Sequence, residues 1–445
     1  MDAPSRGSRR EFVKKTATAG LAVPYFVPVT VLGAVGKPGA NDRIQVGLIG
    51  AGGMGRSNLR NCAKYPDVAV TGICDVWKAR RDQTVAKYKD TAKGYIDYRE
   101  MLQQKDIDGV IIATPPHWHA MQTIHAAESG KDVYVQKPMT LHVGEGLAVR
   151  RAVEKHNCIT QVGTQVHARE NYRRVVELVR SGNLGKISVV RNFLALNQGP
   201  DGIGNPPKTA PPKGFDWNLW IGPYPMRPFN SLIAQNGGYR CSFVEFGSWT
   251  PGMAPHIIDL PYWALKLGHP TNVSCSGGRY TVRDIGDAPD TQEVLWQYPG
   301  MTMTWMMSIV NSYGFDFQGA PGIRRRLGVY SHGVNGTLYS SYGSHTVVSE
   351  GDRMKDAKTP EKSIPPSPGH ERQWLDCMRT RKQPDCNVAY HYKIDVAISL
   401  AMLSYRLGRS IRFDPVAEKI VGDDEAARLA VPEYRHPWKF PKQYL

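Results

Sequence analysis

Residues 44–49, Ile-Gln-Val-Gly-Leu-Ile, run without interruption into Gly50-Ala-Gly-Gly-Met-Gly55, and helix-forming residues follow from Ser57 to Tyr65. A short apolar run bounded by glycines reads as a buried strand. A GxGxxG turn directly behind a strand and ahead of a helix leaves few folds open. The glycines allow a tight turn, let a pyrophosphate come close to the backbone, and bring the helix down onto the strand. The helix N-terminus then offers N–H donors to phosphate oxygens. Gly50, Gly52, Gly53, Met54 and Gly55 are therefore candidate dinucleotide contacts.

A second strand, Val68-Ala-Val-Thr-Gly-Ile-Cys74, ends at Asp75, 20 residues past Gly55. A carboxylate there accepts hydrogen bonds from the adenosine ribose and repels a 2′-phosphate, which favours NAD; Arg80 and Arg81 lie near enough to keep NADP as the lesser alternative. A further strand, Gly109 to Thr114, opens into Pro115-Pro-His-Trp-His-Ala120, a helix is expected from Ala120 to Gly130, and Asp132-Val-Tyr-Val forms the next strand. Strands alternating with helices argue for a parallel, doubly wound sheet of the Rossmann kind. Ligands on such sheets sit beyond the carboxyl ends of the strands. Thr114, Pro115, His117, His119 and Lys137 share that rim with the glycine turn. No third ligand stands beside His117 and His119, so contacts to dinucleotide or substrate are expected there, and no metal. Pro138 limits Lys137 to extended backbone, which aims the side chain.

At 445 residues the chain exceeds one compact core. The organisation expected is a leader over 1–40, an NAD-binding domain over 41–160, a substrate and oligomerisation domain of α+β type over 161–413, and a tail over 414–445. The leader carries Ser8-Arg-Arg-Glu-Phe-Val-Lys14 ahead of a modestly apolar run interrupted by Pro24 and Pro28. That pattern reads as a twin-arginine export signal, cleaved near Ala34–Gly36 or at Ala40, and implies a periplasmic or extracytoplasmic destination. The two prolines argue against stable insertion in a membrane. The net charge of +16 is dispersed, with Arg324-Arg-Arg326 its longest run past the leader, and no nucleic-acid motif accompanies it; nucleic acid is not expected as a partner. Seven cysteines show no CxxC and no regular spacing, so neither a disulfide framework nor a zinc site is expected.

The order and spacing of GLIGAGGMG, ATPPHWHA, the KP dipeptide at a strand end, VGTQ at 162–165, ELVRSGNLGKI, GVNGTLYS and DVAISLAMLSYRLGR resemble the Gfo/Idh/MocA family of glucose–fructose oxidoreductase and inositol dehydrogenase type. The resemblance runs from about Arg43 to about Pro415. It implies a second domain built on a large, mostly antiparallel open sheet, one face of which covers the nicotinamide and forms the substrate pocket. Alternation at Val189–Phe193, Glu293–Gln297 and Met301–Trp305 agrees locally. It also implies a homodimer or homotetramer.

The family's Glu-Lys-Pro appears here as Gln136-Lys137-Pro138, so Lys137 is the implied catalytic lysine beside nicotinamide and substrate, with Gln136 and Gln165 also on the cofactor side. Gln136 keeps the reach of the usual glutamate without its charge. The family's Asp-x-x-x-His-x-x-Asp appears as Gly252-Met-Ala-Pro-His-Ile-Ile-Asp259, which leaves His256 and Asp259 and replaces the first aspartate by Gly252. His256 is the implied proton acceptor, and Asp259 orients it or binds a neighbouring hydroxyl. His167, Arg169 and Tyr172 follow the VGTQ strand and are candidates for substrate contact. Among Phe215, Trp217, Trp220 and Tyr224, packing is expected ahead of sugar stacking. The expected activity is NAD-dependent oxidation at a hydroxyl of a sugar, polyol or glycoside with tightly bound NAD, since an exported enzyme lacks an exchangeable pool. Two alternatives stay open: redox-neutral glycoside hydrolysis through transient oxidation and elimination, and a non-catalytic carbohydrate-binding protein.

Overall fold

The apolar runs and glycine turns of the first third build a six-stranded sheet in the computed structural model, which describes residues 39, 42–235, 237–313 and 326–445. The twin-arginine pattern, its cleavage sites and most of Arg324–Arg326 lie outside the described residues. The strands are β1 (Ile44–Ile49), β2 (Val68–Cys74), β3 (Lys93–Tyr95), β4 (Gly109–Ile112), β5 (Asp132–Val135) and β6 (Thr160–Val162). Their order is β3-β2-β1-β4-β5-β6 with every pair parallel. The order reverses between β1 and β4, so the crevice of a doubly wound sheet opens where Gly50 and Thr114 stand. The helix after β1 spans Gly53–Ala63, four residues ahead of its expected start, because the glycine turn itself closes into the first helical turn.

The second sheet has nine strands: β7 (Ile187–Ala195), β8 (Asn272–Gly278), β9 (Thr291–Tyr298), β10 (Met301–Ser308), β11 (Leu327–Gly333), β12 (Gly336–Ser340), β13 (His345–Ser349), β14 (Ile411–Asp414) and β15 (Lys419–Ile420). Its order is β13-β12-β11-β7-β10-β9-β8-β14-β15, and only β7 and β10 run parallel. Alternation along β9 and β10 turns Val294, Trp296, Met303, Trp305 and Met307 inward. Helices Pro255–Leu265 and Val388–Leu407 cover this face, and Trp296 Nε1 donates to the carbonyl of Ala397 at 2.8 Å. Residues 44–445 form one compact unit.

Past Asp414 the chain does not trail away. It forms β15 and a helix at Asp424–Leu429, then crosses the first domain. Tyr434 donates to Glu145 at 2.7 Å, Arg435 donates to the carbonyls of Gly222 and Tyr224 at 2.8 and 3.0 Å, and Trp438 packs edge-on against Trp118. Trp438, Phe440 and Tyr444 are buried, which accounts for the segment's attachment. Among the described residues no helix is long and apolar enough to cross a membrane.

Candidate active site

The crevice at the β1/β4 reversal is a cleft of about 670 Å³. Gly50, Gly52, Asp75, Arg80, Thr114 and Pro115 line it. Gly50 has φ +93°, and a side chain there would meet the backbone of Ala113 at 2.7 Å. A Cβ on Gly55 would lie 2.0 Å from the carbonyl oxygen of Gly50, so helix and strand approach as the motif requires. Gly53 has no neighbour within 4 Å of that position and Gly52 meets only Arg80 at 3.9 Å, which leaves an open cradle above the helix N-terminus. Asp75 accepts from the backbone N–H of Ala51 and of Trp77, both at 2.8 Å. Burial pushes its pKa up against the pull of those two N–H groups and of Arg80. The cradle and the carboxylate fit a dinucleotide. Met54 is half exposed beside them.

Beyond the end of β5, Lys137 Nζ donates to the carbonyl of Gly252 at 2.9 Å, and the Lys137–Pro138 bond is cis. Burial lowers its pKa from the ordinary lysine value; the Cys241 thiol opposes that and Arg240 adds to it. His256 lies on the helix Pro255–Leu265 close enough for the charge of Lys137 to add to burial, and its pKa falls well below the ordinary value. Both side chains keep part of their surface open. A group that meets a substrate needs such access. Arg169 and Tyr342 flank His256: the rings of His256 and Tyr342 are 6.1 Å apart, and the Arg169 guanidinium sits 6.0 Å from the Tyr342 ring.

Other expected contacts are placed elsewhere. Asp259 is fully buried behind His256, where its Oδ1 pairs with His167 Nε2 at 3.0 Å and accepts from the Tyr390 hydroxyl. His167 stacks on Trp263 at 4.1 Å and is itself buried. Its charge, with the bonds it and Tyr390 make, holds the Asp259 carboxyl below the ordinary value despite the larger, opposing effect of burial. The Cys386 thiol gathers with His167 and Asp259 within 4.8 Å, is hydrogen-bonded to Thr164, and is pushed up by burial. Tyr172 donates to the carbonyl of His256 at 3.2 Å and fixes the helix instead of facing substrate. Asp259, His167 and Tyr172 thus form a buried bracket behind His256.

The rim histidines face inward as well. His117 bonds the carbonyl of Trp220 at 3.0 Å among aromatic rings, and His119 places its nitrogens on the carbonyls of Pro138 and Thr114 at 2.7 and 2.8 Å. Both are buried and so do not line the cleft, contrary to the sequence expectation. Gln136 also turns away from Lys137: its Nε2 donates to Asn58 Oδ1 at 2.8 Å, and Asn58 donates to Glu371 at 2.8 Å. Gln165 opens the turn Gln165–Ala168. Arg240, Cys241, Tyr342 and the cleft-lining Trp438 are what motif reasoning missed; Trp220 packs in an apolar cluster as expected and lines the cleft as well. Arg240 and Cys241 fall in a short 3₁₀ stretch, Gly237–Ser242, that carries no pattern.

Residues 44–164 match the family model described as "Oxidoreductase family, NAD-binding Rossmann fold", and residues 325–440 match the same family's "C-terminal alpha/beta domain". The chain belongs to the Gfo/Idh/MocA family. Its first domain is an NAD-binding Rossmann domain. Among curated relatives, "Uncharacterized oxidoreductase YrbE" of Bacillus subtilis is 30% identical over 146 residues, covering 32% of this chain and 42% of that protein. A "Glycosyl hydrolase family 109 protein" of Shewanella baltica is 32% identical over 205 residues, covering 40% and 44%. The chain therefore spans less than half the length of these curated relatives. Among solved structures, the WlbA dehydrogenase from Chromobactrium violaceum in complex with NADH and UDP-GlcNAcA has a TM-score of 0.60 at 19% identity, covering 85% of this chain and 98% of that one. Levoglucosan dehydrogenase in complex with NADH and levoglucosan has a TM-score of 0.57 at 17% identity, covering 83% and 99%. At these identities the likeness is one of fold.

Proposed function

We propose that the chain is an NAD-dependent oxidoreductase acting on a hydroxyl of a sugar, polyol or glycoside, with the dinucleotide held tightly. The observation that carries this is the pairing of Lys137, held at the end of β5 by the Gly252 carbonyl, with His256 on the helix that follows, two partly open groups whose charged forms burial disfavours. Gly50, Gly52, Gly53 and Gly55 would hold the pyrophosphate and Asp75 the adenosine ribose; when bound, NAD supplies a two-electron acceptor. His256, neutral at pH 7, accepts the proton of the reacting hydroxyl. Lys137, steadied by the Gly252 carbonyl, donates a hydrogen bond to the oxygen as it gains charge. Asp259, His167 and Tyr172 keep the His256 helix in register. The sugar-type ligands named for solved structures of the same fold support the substrate class. Trp220 and Trp438 in the cleft wall support retention of the dinucleotide.

A second proposal is redox-neutral glycoside hydrolysis, favoured by the relatives named as glycosyl hydrolase family 109 proteins. One experiment separates the two. The purified protein is incubated with a panel of sugars and chromogenic glycosides, with and without added NAD, while absorbance of reduced nicotinamide and release of the aglycone are followed. Oxidation with stoichiometric reduced nicotinamide supports the first; catalytic aglycone release without added NAD supports the second; neither, with no nucleotide bound, refutes both. We also propose export through the twin-arginine machinery and assembly into a homodimer or homotetramer. The residues Ser8–Lys14 support the first and the family resemblance the second. Fractionation of cells carrying Arg9→Lys with Arg10→Lys tests export, and light scattering tests assembly.

A further inference from the structure

Arg240 belongs to the segment between β7 and the helix Trp249–Met253, yet it lines the dinucleotide cleft together with Gly50 and Gly52. It is largely enclosed there, and among the described residues no carboxylate forms an ion pair with it. The neighbouring Cys241 thiol and Asp75 bear on it, but the thiol is itself held protonated by burial and the Asp75 oxygens already accept from Ala51 and Trp77. Arg80 stands on the same cleft, and the charge of Arg240 reaches Lys137 and His119 on the far side. An enclosed guanidinium with cationic neighbours and no acceptor is unfavourable until an anion arrives. Burial draws its pKa down to about 10, the direction expected of such a group.

The cleft says which anion. Arg240 shares the cleft with Asp75, at the adenosine-ribose end, and with Gly50 and Gly52 of the cradle, and its charge also reaches Lys137, at the reaction end. The group that sits midway along a dinucleotide is its pyrophosphate, which a planar, five-donor guanidinium suits.

We infer that Arg240, supplied by the second domain, closes over the cofactor's pyrophosphate from the side opposite the glycine turn, so that one residue ties the dinucleotide to both domains. This rests on the dinucleotide reading of the cleft and not on the reaction proposed above. The segment that carries Arg240 packs with Phe215, Trp217, Trp220 and Phe246 in an apolar cluster of its own, and Arg435 pins the Gly222 turn of that segment from outside. The guanidinium is therefore presented on a fixed roof.

Calorimetric titration of nucleotide-stripped protein with adenosine, ADP-ribose, 2′-phospho-ADP-ribose and NAD tests this, together with melting temperatures with and without NAD. Arg240→Gln is expected to weaken ADP-ribose and NAD by 10- to 100-fold and adenosine by less than 2-fold, with Arg240→Lys in between. The stripped variant is expected to melt no lower than the stripped parent, because a buried unpaired cation has been removed, while the rise in melting temperature on adding NAD shrinks. Equal losses for adenosine and ADP-ribose, a loss confined to 2′-phospho-ADP-ribose, an unchanged NAD affinity, or a stripped variant that melts lower would each overturn the proposal. Failure of the sugar panel with these affinities intact would refute the reaction and leave Arg240 standing.

Discussion

The thiol of Cys241 fills the space where a side chain at 252 would begin: a Cβ on Gly252 would lie 2.6 Å from Sγ, and the Gly252 carbonyl already holds Lys137. The glycine is thus the partner of a cysteine eleven residues earlier, and restoring the family's aspartate alone is expected to overpack the wall. Gly252→Asp should be destabilised by about 1–3 kcal/mol and lose activity, while Gly252→Asp with Cys241→Ala should regain stability in urea titration. A single variant as stable as the parent would show that the wall yields freely. For Lys137, replacement by Met is expected to lower turnover by about 10²–10⁴-fold with bound nucleotide unchanged by absorbance. As Lys137 acts as a donor, it works protonated, so activity should fall as pH rises through its lowered pKa. His256, drawn well below 6.5, stays neutral over the same range and adds no limb near pH 7. An alkaline limb that persists in Lys137→Met would assign it to another group.

At the scale of elements, the strand ends are the most legible part of the sequence, and the directions of side chains leaving them the least. The glycine turn, Asp75 and Lys137 fall where the motif predicts, because backbone geometry dictates glycines at a tight turn and places ligands beyond strand ends. The sequence sets Gln136 next to Lys137, but consecutive residues of an extended strand point to opposite faces. Gln136 instead packs on Gly163 and bonds Asn58 of the dinucleotide helix, which Glu371 ties to the helix His370–Thr380. The spacing of His256 and Asp259 is legible as one helix, but not that the helix turns Asp259 into the core towards His167, a partner 92 residues away. The segment over 196–248 has short helices and no sustained period, so its roofing role has no sequence signal. Gln136→Glu would bring a second carboxylate, in addition to that of Glu371, onto the single amide of Asn58. It is expected to destabilise the protein by about 1–3 kcal/mol while leaving turnover within about 2-fold, read by denaturant midpoint and sugar oxidation; a large gain in rate would place position 136 in the chemistry after all.

Over the whole molecule, burial keeps histidines neutral at points where the two domains meet. Burial lowers the pKa of His117 to about 3 and that of His370 to about 4, and draws His119 and His256 down as well. An unfolded histidine takes up a proton near pH 6.5, whereas in the folded state these rings take it up only at lower pH, much lower for His117, His256 and His370. Between the two pKa values the unfolded chain binds more protons, so stability rises with pH and is lost on acidification. His117 alone accounts for about 3 kcal/mol by pH 4, from about 1.4 kcal/mol per unit of pH below 6.5. His391, beside Asp395 at 2.6 Å, has a raised pKa; its contribution is present below pH 6.5 and fades as pH rises through the folded value, offsetting one of the four. The net charge of +16 grows further in acid and adds repulsion of the same sign. The urea midpoint is therefore expected to fall steadily from pH 7 to pH 5. His117→Gln, which retains a donor for the Trp220 carbonyl, should flatten that slope by up to one proton even where it lowers the midpoint itself. A midpoint indifferent to pH over this interval, or a slope identical in His117→Gln, would mean that water or local opening lets these rings protonate without unfolding the chain.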